Sequence, residues 1–189
     1  MSKGHQLMRK LIESTLISVD GVFAETDFSK FFAYQDETYL RDGLGLLLSG
    51  DAILMGRSTY ESWAKIWPRS PHPWAERLNT IPKYVFSSTL ETASWNNSTL
   101  VRGDVVAEVS RLKQQEGSNL LIFGHGLLGE TLLKHHLLDG LDLSVHPLVL
   151  GHGRQFLREG LNTTLKFVAA KSFSTGIVTL TYELPSEGR

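Results

Sequence analysis

At 189 residues, 41% hydrophobic and 21% charged, with 19 basic and 20 acidic side chains scattered along it, the chain has the makeup of a globular protein with one core and no electrostatic footprint for nucleic acid. The lack of cysteine excludes disulfides, thiolate nucleophiles, iron–sulfur clusters and zinc–thiolate sites. Apolar stretches such as Gly45–Leu48 and Leu148–Leu150 are far shorter than the roughly 20 residues that cross a bilayer, and Met1–Leu7 lacks the apolar run of a secretion signal, so one cytoplasmic domain over residues 8–185 is expected, with Met8 an alternative start and no membrane partner.

Lys10 to Val19 is rich in β-branched residues and ends on the turn pair Asp20-Gly21, which predicts a first strand. From Asp36 the residues Leu40, Leu44, Leu47 and Leu48 recur at helical spacing until Ser49-Gly50, although Gly43 and Gly45 weaken the helix from within. Ala52–Met55 predicts a strand that stops at Gly56 and feeds a helix running toward Trp63. Lys83–Phe86 and Thr99–Val101 read as further short strands, and Asp104 caps a helix carrying Val105, Val109 and Leu112 on one face. Asn119–Phe123 is an apolar strand broken by Gly124-His125-Gly126, with another helix marked by Leu128, Leu132 and Leu133. Three βα repeats imply a mainly parallel sheet with helices on both faces. Leu141–Leu150, Thr164–Ala170 and Ile177–Leu184 then predict strands, the last two joined at Ser174-Thr175-Gly176 as an antiparallel C-terminal hairpin.

Two strand ends pass through glycine into a helix, where unpaired N–H groups and a partial positive charge favour phosphate. At the first, Gly56 allows close backbone approach, Arg57 supplies a planar cationic fork, and Ser58 and Thr59 supply hydroxyls. At the second, Gly124, His125 and Gly126 would let a pyrophosphate lie against the main chain. Together they point to a dinucleotide spread over several strand ends. A P-loop spacing is absent. The GxGxxG letters of Gly124–Gly129 follow a late strand with no acidic partner, so they are not the Rossmann fingerprint.

Met55-Gly56-Arg57-Ser58-Thr59-Tyr60-Glu61-Ser62 closely resembles the MGRxTxES stretch of dihydrofolate reductases, and Phe86-Ser87-Ser88 and Gly124-His125-Gly126 resemble their Ser-Ser strand end and glycine turn. Ser18-Val19-Asp20-Gly21 and Val145–Gly153 look more like the RibD C-terminal reductase family, which shares that fold. The resemblance implies a dihydrofolate reductase-like α/β fold with NADPH as cofactor. Arg57 and Ser88 would meet the adenosine 2′-phosphate, and Ser58, Thr59 and the turn from Gly124 through Leu127 and Leu128 would hold the pyrophosphate. Phe86 and Ser87 belong to the same strand end, and Val22, Phe23 and Ala24 would lie near the nicotinamide. Leu127 departs from those dihydrofolate reductases that place a second Arg there. A homodimer through the C-terminal strands is implied by the same analogy.

The substrate side differs from the folate enzymes. Residues Glu25 to Asp42 lack the Trp and Pro of their W-x-L-P-x-[DE] stretch, and Trp67-Pro68 comes too late to supply them. Riboflavin-pathway reductases tend to carry a Lys on the first strand, where this chain has Glu13-Ser14-Thr15. The reading is hydride transfer from NADPH to a C=N or C=O bond of a small heterocyclic or ribosylamino substrate, of the 5-amino-6-(5-phosphoribosylamino)uracil type. The proton would come through water or from a carboxylate, Asp20 or Asp36. Asp20 is equally an ordinary turn residue, His146 and His152 lack a third metal ligand, and most of Trp63, Trp67, Trp74 and Trp95 are expected in the core or at an interface. Two alternatives stay open: a non-catalytic NADPH-binding sensor, and a divergent folate-type reductase.

Overall fold

The computed structural model describes residues 8–24, 29–156 and 162–185, and of Ala24 the backbone only. Eight strands form one sheet in the order β5-β4-β3-β6-β1-β7-β10-β9. The first six in that order, β5 (Ser98–Val101), β4 (Lys83–Phe86), β3 (Gly50–Gly56), β6 (Asn119–Phe123), β1 (Leu11–Ser18) and β7 (Gly140–His146), run parallel. The hairpin of β9 (Lys166–Ser172) and β10 (Val178–Glu183) completes the sheet with antiparallel pairings. This is the mostly parallel sheet with an antiparallel C-terminal hairpin that the βα repeats imply.

Side chains alternate across β1, so its two faces enter different cores. On one face Leu11 packs with Leu54, Leu120 and Ile122 under α5 (Val105–Lys113) and α6 (Gly126–Lys134). On the other, Ile53, Met55, Val85 and Leu121 pack under α2 (Glu37–Ser49), α3 (Arg57–Ile66) and α4 (Ala75–Thr80). Tyr60 lies under α3 with its hydroxyl accepting from Trp95 N at 2.9 Å, and Trp95 is itself buried. Gly43, costly in a helix by propensity, is explained by packing, because a Cβ there would stand 2.6 Å from Trp74 Cζ2.

Several elements are absent from the sequence reading: β2 (Val22–Ala24), β8 (Arg154–Gln155), the four-residue α1 (Ser29–Phe32) and α4. All are too short to display a period. β7 stops at His146 rather than at Leu150, since Pro147 follows and Leu148 N turns back to the His146 carbonyl at 2.7 Å. Among the described residues no helix is long and apolar enough to cross a membrane.

Candidate functional site

The parallel strands all end at one rim. Gly56 is level with Phe86, and Phe86 with Val101. Leu54 pairs with Ile122, which brings Gly56 and Gly124, each two residues on, to neighbouring strand ends. From β3 the chain proceeds outward to β4, and from β6 it proceeds the opposite way to β7, so this is the switch point of the sheet.

Among the described residues four helices of nine or more residues begin at this rim, and their starts differ. Asp36 caps α2, its Oδ1 accepting from Tyr39 N at 2.8 Å, and Asp104 caps α5, accepting from Val106 N at 2.8 Å and Ala107 N at 3.2 Å. Neither α3, entered from Gly56, nor α6, entered from His125, has a side-chain cap. These two bare N-termini therefore present first-turn N–H donors and the positive end of the helix dipole at adjacent strand ends. Gly124 and Gly126 have φ of +81° and +65°, and a Cβ on either would enter open space. The turn is thus a cradle of bare main chain that side chains would fill, and it suits an extended phosphate ester.

The residues singled out from the sequence are brought together on this rim, though several contribute backbone only. Arg57 lies exposed at the start of α3, Nε donating to Glu61 Oε1 at 2.8 Å and Nη1 to Thr89 Oγ1 at 2.7 Å. Ser58 is exposed and Thr59 half-buried in the same turn. Ser87 Oγ accepts from Leu90 N at 2.9 Å and shapes the loop in which Ser88 is exposed. Phe86, His125 and Leu128 point inward and are buried, so their side chains face away from the cradle, whereas Leu127 is 71% exposed. Val22 and Phe23 are buried too, with Val22 N donating to Ser18 Oγ at 2.9 Å, and Val22 pairs with Gln155 of β8. The Ala24 side chain and Glu25–Phe28 lie outside the described residues.

Arg102 was missed. It follows β5, and its guanidinium donates to the Ser88 carbonyl at 3.0 Å and the Leu90 carbonyl at 2.6 Å, so Arg57 and Arg102 both grip the loop that carries Ser88. A cation immediately after a strand and two residues before a helix cap was the available signal. The Glu13–His125 pair was also missed: both are buried, with Nδ1 and Oε1 2.7 Å apart.

The two carboxylates considered as proton sources are committed to the fold. Asp20 accepts from Ser18 Oγ at 2.6 Å, Gly151 N at 2.7 Å and Leu150 N at 3.1 Å. These bonds, the Ser18 hydroxyl foremost, hold its carboxyl down at about 2. Asp36 is likewise lowered, by the Tyr39 amide and then the Ser174 hydroxyl. Groups held ionised in this way are poor proton donors at neutral pH.

On the α2 face, β1, β7 and β10 carry a polar layer. Thr181 Oγ1 donates to Asp142 Oδ2 at 3.3 Å, and Ser144 and Thr179 hydroxyls lie 3.4 Å apart. Burial pushes the Asp142 carboxyl up to about 6 and the Tyr39 phenol to about 12. His146, fully buried against Phe31 and Tyr39 and lowered by that burial, uses Nδ1 on the Ser144 carbonyl at 3.0 Å. Its Nε2 has no hydrogen-bond partner among the described residues.

Residues 9–179 match the family described as the RibD C-terminal domain. Two uncharacterised Bacillus subtilis proteins are relatives: YyaP, 31% identical over 138 residues, covering 70% of this chain and 73% of that protein, and YwjB, 28% identical over 171 residues, covering 89% and 95%. Among solved structures, a putative riboflavin biosynthesis protein from Shewanella sp. PV-4 superposes with a TM-score of 0.77 at 20% identity, covering 93% of this chain and 99% of that one. The Thermotoga maritima diaminohydroxyphosphoribosylaminopyrimidine deaminase/5-amino-6-(5-phosphoribosylamino)uracil reductase superposes at 0.61 with 14% identity, covering 94% of this chain but 57% of that longer one. At such identities the structural likeness speaks for the fold.

Proposed function

This chain belongs to the RibD C-terminal domain family, and on that footing we propose that it is an NADPH-dependent reductase acting on a small heterocyclic or ribosylamino substrate of the 5-amino-6-(5-phosphoribosylamino)uracil type. The observation that carries the reading is the pair of uncapped helix N-termini at neighbouring strand ends, flanked by two exposed arginines. Arg57, Arg102 and Ser88 hold the 2′-phosphate, and the first turns of α3 and α6 hold the pyrophosphate through backbone N–H groups. From β4 to β1 is three strand spacings, about 14 Å at roughly 4.8 Å each, a span along which the proposed dinucleotide lies with its nicotinamide beside Val22 and Phe23.

When bound, NADPH supplies a hydride to a polarised C=N or C=O bond. The chain's part is to fix the dinucleotide and to place the substrate over β1 and β7, beside the turn that Asp20 makes at the end of β1. With Asp20 and Asp36 held ionised, the proton that completes the reduction arrives through water. The reading includes a homodimer through the C-terminal hairpin. All seven residues of β9 are exposed, Phe167 and Val168 among them, and among the described residues no strand pairs with its outer edge.

Calorimetry with NADPH and NADH, followed by a substrate panel read by loss of nicotinamide absorbance, tests the reading. It expects tighter uptake of NADPH and turnover of an aminouracil-type substrate; no uptake overturns it. The second reading, a non-catalytic NADPH sensor, is favoured by the same engagement of Asp20 and Asp36 and expects uptake with no turnover across the panel.

A further inference from the structure

A carboxylate and an imidazole are buried together beneath the glycine turn. Glu13 is fully buried in β1, its Oε1 bonded to His125 Nδ1 at 2.7 Å and accepting from Thr15 Oγ1 at 3.2 Å. Its other oxygen, Oε2, is buried with no hydrogen-bond partner among the described residues. Apolar side chains would fill such a site at less cost in stability, so a half-satisfied pair kept there needs another explanation. The space around it is shaped to admit it: a Cβ at residue 129 would stand 2.5 Å from Glu13 Oε2 and 2.6 Å from His125 Nδ1, which accounts for a glycine inside α6.

His125 is the residue from which α6 starts, between the two open glycines, and its carbonyl accepts from Gly129 N at 3.2 Å. Its ring is also met edge-on by Phe23 of β2, centroids 5.3 Å apart, and at a tilt by Phe156 at 4.6 Å. One ring thus joins β1, the ribbon of β2 and β8, and the turn before α6. A side chain drawn inward at this point keeps the outer side of the Gly124–Gly126 turn clear, while the Gly124 N–H anchors the turn to β1 by donating to the Ser14 carbonyl at 2.8 Å.

We propose that Glu13 is a positioning residue for the dinucleotide pyrophosphate: by locking the His125 ring inward through Oε1, it holds the glycine turn in its phosphate-accepting conformation. The inference rests on the cofactor reading above and adds the residue that sets the geometry of its phosphate site. The adenosine 2′-phosphate end, at Arg57, Ser88 and Arg102, touches none of these groups, which supplies an internal control.

The test titrates wild type, Glu13→Met, Glu13→Gln and Gly129→Ala with two probes, NADPH and adenosine 2′-monophosphate. Met fills the volume but cannot hold the ring, so Glu13→Met is expected to weaken NADPH about tenfold, as the loss of one oriented hydrogen bond does, with the monophosphate unchanged. Gly129→Ala, whose methyl displaces the pair, is expected to do the same. Glu13→Gln, able to accept from Nδ1–H, is expected to remain within about threefold of wild type. Equal weakening of both probes means a merely structural role and overturns the inference, as does NADPH binding by Glu13→Met at wild-type strength. Wild type that takes up neither probe overturns the cofactor reading, and this inference with it.

Discussion

At the N-terminal end of the parallel sheet, Arg9 meets Asp51, Lys113 meets Asp139 and the Leu137 carbonyl, and Lys83 gives its protons to the Leu78 and Ile81 carbonyls at 2.7 Å each. At the C-terminal end, by contrast, two helix N-termini lack side-chain caps and two arginines stand exposed with hydrogen-bonding capacity to spare. Both ends bear charge. The first satisfies it within the chain and gains stability; the second leaves donors open, which favours an anion from outside. The same sheet therefore separates the residues that hold the fold from those that hold a ligand.

The largest expected effect lies at the closed end. Asp139→Ala leaves the buried Lys113 ammonium without its carboxylate and is expected to lower unfolding free energy by about 3 kcal/mol in chemical denaturation, with unchanged affinity for NADPH. Arg57→Ala should behave in the opposite manner. Its exposed pair with Glu61 contributes little to stability, whereas loss of a charge-assisted bond to the 2′-phosphate should weaken NADPH by roughly 10- to 100-fold and leave NADH unaffected, as calorimetry with both cofactors would show. A wild-type preference for NADH would break the comparison. Asp104→Ala removes a cap at the same rim from a helix outside the cradle; about 1 kcal/mol of stability is expected to go, with no change in binding.

A further expected effect concerns pH. Burial raises the Asp142 carboxyl from 3.8 to about 6, so between these values the folded protein keeps a proton that the unfolded chain releases. Stability from this group is full below pH 4 and is lost as pH rises through 6. Urea midpoints measured from pH 4 to 7 should decline for this reason, and Asp142→Asn should flatten that part of the profile.

The sequence exposed the rim because its elements are punctuated by chemistry: Asp36 and Asp104 announce helix starts, and Gly56 and Gly124 announce strand ends that lead into helices. Those signals are local, and the parallel order follows from the crossovers between them. What stayed hidden depends on distant partners. Glu13 and His125 are 112 positions apart, and nothing near either one marks the pair. Asp20 reads equally as site or turn until Leu150 and Gly151 are brought to it from β7's end. Arg102 gains meaning only beside the Ser88 carbonyl across the strand order. Gly43 and Gly129, unfavourable by helix propensity, are explained by Trp74 and by the Glu13–His125 pair.

The central claim is that the bare starts of α3 and α6 together receive one dinucleotide. Backbone amide chemical shifts recorded while oxidised NADP is titrated into the labelled protein test it most directly. The account expects saturable shifts at residues 57–59 and 126–128, with 105–107 at the capped start of α5 unmoved. Amides of α3 and α6 that stay fixed, or shifts centred on α5, would contradict it.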